Sequence, residues 1–228
     1  MLFRSPRLAQ GRADGTPWHG HHIAERYGLL AIIALGEGVV GTAASSQSAL
    51  ADVGGWDLDT VLLLITGIGL TFGMWWSYFQ VPFGDLLHHR PGRGYVFGFG
   101  HIPVFVAIAA VGAGLHVAGL ARLAEPTGAE DTATIPALTV VMCLALPVGL
   151  YTVAIAVLEA LLLGRPQGLH LAGVLGALLL LAAAIALAPV SVAGALVVVM
   201  IASFAPVAGY EFGGHRHQSA RLAALHRE

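Results

Sequence analysis

The sequence predicts an all-α, polytopic membrane helix bundle of about six transmembrane helices, N-in and C-in. Three observations carry this. The chain is 57% hydrophobic and only 11% charged, where a soluble domain carries about 25% charged residues. It holds six apolar runs, each long enough for the ~20 residues a helix needs to cross a bilayer. Its eleven basic residues are all arginine, and they fall almost entirely on alternate sides of those runs.

The runs lie at 27–47, 59–81, 95–120, 134–163, 169–188 and 190–210. The 82–94 and 121–133 connections carry the Pro, Gly and charge that end helices; Gly164-Arg165-Pro166 and Pro189 mark tighter turns. With six spans, the N-terminus, the second loop, the fourth loop and the C-terminus share one side. That side holds Arg4, Arg7, Arg12, Arg26, Arg90, Arg93, Arg165, Arg216, Arg221 and Arg227, against Arg122 alone on the other. The positive-inside rule then places both termini in the cytoplasm. The expected organisation is a cytoplasmic segment over 1–22, a six-helix transmembrane domain over 23–211 and a cytoplasmic tail over 212–228. Residues 1–20 are polar and contain no apolar h-region, so no cleavable signal peptide is expected.

The first span carries a carboxylate, Glu37, about 15 Å along the helix from Tyr27 at a rise of ~1.5 Å per residue. At about 100° per residue, Arg26, Leu30, Ala34, Glu37, Gly41, Ala44, Ser45 and Ser48 share a stripe, with Ile32, Leu35 and Val39 opposite. A charge near mid-bilayer costs several kcal/mol, so it faces the bundle interior, pairs, or is protonated. The stripe is therefore expected to face protein and the aliphatic side to face lipid. On the functional reading Glu37 is a proton or cation site lined by Gly41 and Ser45; on the structural one it is a neutral carboxyl bonded to another helix.

Other polar groups are weaker candidates. His101, one and a half turns into the third span, either relays protons toward Glu37 or donates one interhelical hydrogen bond. His116 is expected at the interface. Glu25 and Arg26 sit at the cytoplasmic mouth, where a carboxylate suits a helix N-terminus and arginine snorkels to head groups. Glu159, His170, Tyr210 and Glu211 lie near cytoplasmic helix ends and are expected to be structural or interfacial. His19, His21, His22, His215 and His217 lie outside the membrane, and their spacing matches no closed tetrahedral site. Cys143 is the single cysteine, which excludes a disulfide framework and a thiolate metal site. No metal and no cofactor are expected. Gly69 and Gly73 form a GxxxG seam available for helix pairing. Pro147 and Pro206 interrupt the fourth and sixth spans and either kink them or are tolerated within the bundle.

The stretch His22-Ile23-Ala24-Glu25-Arg26-Tyr27-Gly28-Leu29, followed by Leu35-Gly36-Glu37, resembles the bacterial low temperature requirement A (LtrA) family. Trp75-Trp76-Ser77-Tyr78-Phe79 and Tyr95-Val96-Phe97-Gly98-Phe99-Gly100-His101 look like the same family, in the same order. The resemblance covers most of the chain and is to the C-terminal part of a typical member; the family's acidic N-terminal segment has no counterpart. It implies an integral membrane protein of the cell membrane and raises Glu25 and Arg26 as a gate or ion pair, but it implies no substrate.

No nucleotide loop, nucleophile elbow, HExxH or paired helix-borne carboxylates are present, which argues against a soluble-type enzyme. The expected function is a proton-linked transporter or channel-like protein, with Glu37, Glu25, Arg26, His101, Gly41 and Ser45 along the pathway. The alternatives are a non-transport membrane protein for low-temperature adaptation or assembly, and a membrane-embedded lipid enzyme. The expected partners are the lipid bilayer and a second copy or another membrane protein, since many transporters are built of two comparable halves. Nucleic acid is not expected.

Overall fold

The computed structural model describes residues 19–53, 57–123, 135–163 and 168–214. Among the described residues seven α-helices follow one another: α1 (Gly20–Val53), α2 (Leu58–Phe79), α3 (Phe83–His89), α4 (Gly94–Leu123), α5 (Ala137–Leu163), α6 (Gly168–Leu187) and α7 (Val192–Gly209). A 3-10 turn at Pro91–Arg93 precedes α4, and a π-helical turn at Tyr210–Gly214 follows α7. Six of the helices are long and apolar enough to cross a membrane. The chain is a multi-pass integral membrane protein.

The helix starts are set by side chains. Asp57 caps α2 by accepting from the Thr60 amide at 3.0 Å, and Ser191 caps α7 by accepting from the Gly194 amide at 3.0 Å. These caps satisfy donors that lipid cannot. α1 has 34 residues and runs for about 50 Å at ~1.5 Å per residue, longer than the ~30 Å hydrocarbon core. α4, α5 and α7 continue past Pro103, Pro147 and Pro206. The 82–94 connection is not merely a polar loop. After Pro82 it forms α3, whose Phe83, Leu86 and Leu87 are buried against the bundle.

The six long helices close into a ring in the order α1, α2, α7, α6, α5, α4 and back to α1, with α5 also touching α7 across the middle. Leu70, Met74, Val104, Leu144, Val148, Leu158 and Val199 fill the centre. Ile33, Ile65, Leu146, Leu179 and Ile201 point outward, as a lipid-facing surface requires. Several hydroxyls are satisfied within their own helices, as membrane helices need. Thr42, Thr71, Thr152 and Ser203 donate to the carbonyls of Gly38, Gly67, Val148 and Met200 at 2.7–2.9 Å.

Close approach occurs where glycine removes the side chain. The α2–α7 contact is built at Gly69 and Gly73, where an added Cβ would collide with Met200 and Ser203. The Gly69–Gly73 seam is therefore occupied inside the chain and is not free for a second copy. The reason is steric: the Met200 and Ser203 side chains lie against the α2 backbone there only because neither glycine carries a Cβ.

Candidate functional site

His101 is fully buried on α4. Its Nδ1 lies 2.8 Å from the carbonyl oxygen of Phe97, and its Nε2 lies 2.9 Å from the hydroxyl of Tyr78 on α2. A carbonyl only accepts, so Nδ1 carries the proton of the neutral ring and donates to Phe97. Nε2 then accepts from the Tyr78 hydroxyl. Rings enclose the imidazole: Phe97 at 4.2 Å, Tyr27 of α1 at 4.8 Å, Phe83 of α3 at 5.4 Å and Phe105 at 5.7 Å between centroids. One turn deeper on α2, the Met74 carbonyl accepts from Tyr151 of α5 at 2.6 Å and from Ser77 at 3.0 Å. This cluster ties α1, α2, α3, α4 and α5 together at the arginine-rich end.

At the other end a cavity of about 360 Å³ opens between α2, α4, α5 and α7. Asp59 stands at its mouth, Ser191 and Ala137 bring helix N-termini to its rim, and Thr66 lines it from α2. Thr66 is 0% exposed, and its hydroxyl has no hydrogen-bond partner among the described residues. At about 100° per residue, Asp59, Leu63, Thr66, Leu70, Gly73 and Ser77 lie along one side of α2. They form a line from the outer cavity to the tyrosine cluster in which the polar Asp59, Thr66 and Ser77 are separated by non-polar residues. Leu63, Leu70 and Met74 are buried and fill the line between its polar groups.

The carboxylate expected at the polar centre faces away from both features. Glu37 is exposed on the outside of the bundle, whereas Leu35, Gly38, Thr42 and Ser46 are buried. The expected orientation of α1 is therefore corrected: Leu35 packs inward, with Ile32 and Val39 exposed and Glu37 turned away from the core. The inward stripe is made of glycines and hydroxyls that let α2 and α4 approach, since Cβ atoms at Gly38 and Gly41 would strike Thr71 and His116. Glu37 has no hydrogen-bond or ion-pair partner among the described residues, and it does not line the outer cavity.

The sequence-expected pathway residues Glu37, Glu25, Arg26, His101 and Gly41 are not brought together. Glu25 and Arg26 are exposed at the arginine-rich end of α1, and Glu25 contacts His22 at 3.8 Å. Gly41 lies under the His116 ring, whose Nδ1 donates to the Gly112 carbonyl at 3.1 Å. The Ser45 side chain and His215 and His217 lie outside the described residues. His101 stands apart in its aromatic enclosure. No group of three or more His, Cys, Asp or Glu among the described residues could hold a metal ion.

A family model described as bacterial low temperature requirement A protein (LtrA) matches residues 1–205. The chain belongs to the LtrA family. No curated protein and no solved structure matches it. All three LtrA-like stretches meet at one point in the fold: Tyr27 from the first, Ser77 and Tyr78 from the second, and Phe97 and His101 from the third. The ring contacts and the 2.9 Å Tyr78–His101 bond join them.

One polar pair in this LtrA chain was not legible as a pair. Glu159 of α5 and His170 of α6, each assigned from sequence to a helix end, approach to 3.1 Å between Oε2 and Nε2. Both side chains are buried, at 4% and 7% exposed. The approach is close but not aligned as a hydrogen bond, so all four polar atoms lack a directional partner among the described residues. The only sequence signal was that both sit close to the same short α5–α6 turn.

Proposed function

We propose that this LtrA-family protein is a plasma-membrane transporter or channel-like protein for a small solute or ion, whose route follows the inward side of α2. The observation supporting this is the Thr66 hydroxyl, fully buried, unpartnered among the described residues and lining a cavity of about 360 Å³. Leaving a buried hydroxyl unbonded costs about 1–3 kcal/mol. Water or a solute in the cavity would remove that cost, and pockets of this kind begin at roughly 300 Å³. Leu63, Leu70 and Met74 close the line toward Ser77 and Tyr78, so the arrangement corresponds to a state closed on the arginine-rich side. Passage requires these side chains to move. Protons are the first species to test, because hydroxyls and His101 lie at the inner end of the line.

The test is flux in proteoliposomes with protons, monovalent cations and small neutral solutes. A conducted species whose flux falls several-fold in Thr66→Val and rises in Leu70→Ala is the expected result. Thr66→Val keeps the shape and removes only the hydroxyl. Flux that ignores both substitutions overturns the route. Absence of flux for every species favours the second reading, a non-transport membrane protein. The saturated hydrogen bonding of His101 supports that reading, because a fully bonded, enclosed imidazole is suited to holding helices together.

A further inference from the structure

A second cleft, of about 310 Å³, lies between α5 and α6 and has almost wholly apolar walls. Glu159 and His170 stand at one end of it. They lie four residues from the end of α5 and two residues into α6. At ~1.5 Å per residue this is within about 6 Å of the arginine-rich helix ends. The walls extend the other way, through Val153 on α5 and Leu178 on α6, roughly 9–12 Å toward the bilayer centre. Val153, Val157, Leu171 and Leu175 are 39–53% exposed on the outside of the bundle, so the cleft opens sideways into lipid rather than to water.

We propose that this cleft is a binding site for a single-chain lipid acid of the inner leaflet, with its tail in the groove and its carboxyl head on Glu159 and His170. The polarity of the cleft runs as a lipid does, with the polar end at head-group depth and the apolar end toward mid-membrane. The pair supplies the head chemistry. With Oε2 and Nε2 facing each other at 3.1 Å, the pair leaves the other carboxyl oxygen to accept and the Nδ1–H to donate. A protonated carboxyl group offers the complementary O–H and C=O. A quinone head offers acceptors only and leaves the Glu159 oxygen unmet. Binding would satisfy polar atoms that are buried and unpartnered among the described residues. The site is separate from the α2 line and does not rest on the transport reading.

The test uses the full chain in detergent micelles with a diazirine-bearing palmitic acid. Photolabelling is expected to concentrate on α5 and α6, to be competed by excess palmitic acid, and to fall at least fivefold in Ala160→Phe, which fills the groove and keeps the pair. It is expected to fall comparably in the double variant Glu159→Leu with His170→Leu. That replacement of a buried ion pair by apolar residues commonly leaves stability unchanged or improved, so loss of labelling with an unchanged elution profile reports the lost head contact. Labelling spread evenly over the outward helix faces, or unchanged in either variant, overturns the site. Competition by an isoprenoid quinone or a phospholipid, but not by palmitic acid, overturns the assigned head group.

Discussion

The Tyr78 hydroxyl donates to His101 Nε2 at 2.9 Å, joining α2 to α4 inside a shell of aromatic rings. The bond uses the last free nitrogen of the imidazole, since Nδ1 is committed to the Phe97 carbonyl at 2.8 Å. It is an interhelical bond of the kind that holds membrane bundles together where no hydrophobic drive exists.

Tyr78→Phe removes this bond and leaves the ring packing. The expected loss is about 1 kcal/mol, within the range for one interhelical bond in a membrane protein. His101→Leu removes the bond at both ends and leaves the Tyr78 hydroxyl stranded, with an expected loss of about 2–3 kcal/mol. Reversible unfolding in mixed micelles measures both, and the double variant should lose less than the two single losses combined.

Glu37 lies outside the bundle, away from the α2 line. Glu37→Gln is therefore expected to leave proton flux and its pH dependence within twofold of the parent protein. Proteoliposomes carrying a pH-sensitive dye provide the measurement. A flux abolished in the Gln variant would return the proton site to α1.

Accessibility distinguishes the open end of the α2 line from the closed one. In a Cys143→Ser background, Thr66→Cys should react with a membrane-impermeant thiol reagent added from the arginine-poor side. Leu70→Cys, one turn deeper and not part of the cavity lining, should not react. The same reagent added from the arginine-rich side should label neither.

The arginine distribution sets the orientation. Reporter fusions after residue 228 and within 121–133 should report opposite compartments, with the chain end cytoplasmic. Identical readings would reject the six-span topology.

Glycine substitutions separate packed seams from open surface. A Cβ at Gly73 meets Ser203 and Phe204, whereas nothing lies within 4 Å of one at Gly36. Gly73→Ala is expected to cost about 1–3 kcal/mol by overpacking. Gly36→Ala should be neutral or stabilising by up to about 1 kcal/mol, the helix-propensity gain. Thermal denaturation of the two variants side by side provides the comparison.

The spans were legible because lipid demands long apolar helices, and the family was legible from Glu25-Arg26-Tyr27-Gly28, Trp75-Trp76-Ser77-Tyr78 and the run ending at His101. That those stretches meet was not written in their spacing. Tyr27, Tyr78 and His101 converge through the way α1, α2 and α4 pack. The orientation of α1 departs from the sequence expectation for a physical reason. Polarity points to one face as inward, yet small size decides it: Gly38 and Gly41 admit neighbouring helices, while Glu37 is exposed. Glu159 and His170 were each visible as polar residues near helix ends. Their pairing depends on how α5 and α6 turn about each other, which single-helix periodicity does not encode.

The contact of Gly73 with Ser203 has a consequence for biogenesis. About 130 residues separate the two positions, so α2 leaves the ribosome long before the helix that covers it. At about 5–20 residues per second, synthesis of that stretch takes roughly 7–26 seconds. During that interval α2 presents an uncovered small-residue face to lipid or to the insertion machinery. The nascent bundle therefore has a built-in waiting period, and the last span to emerge is the one that closes it.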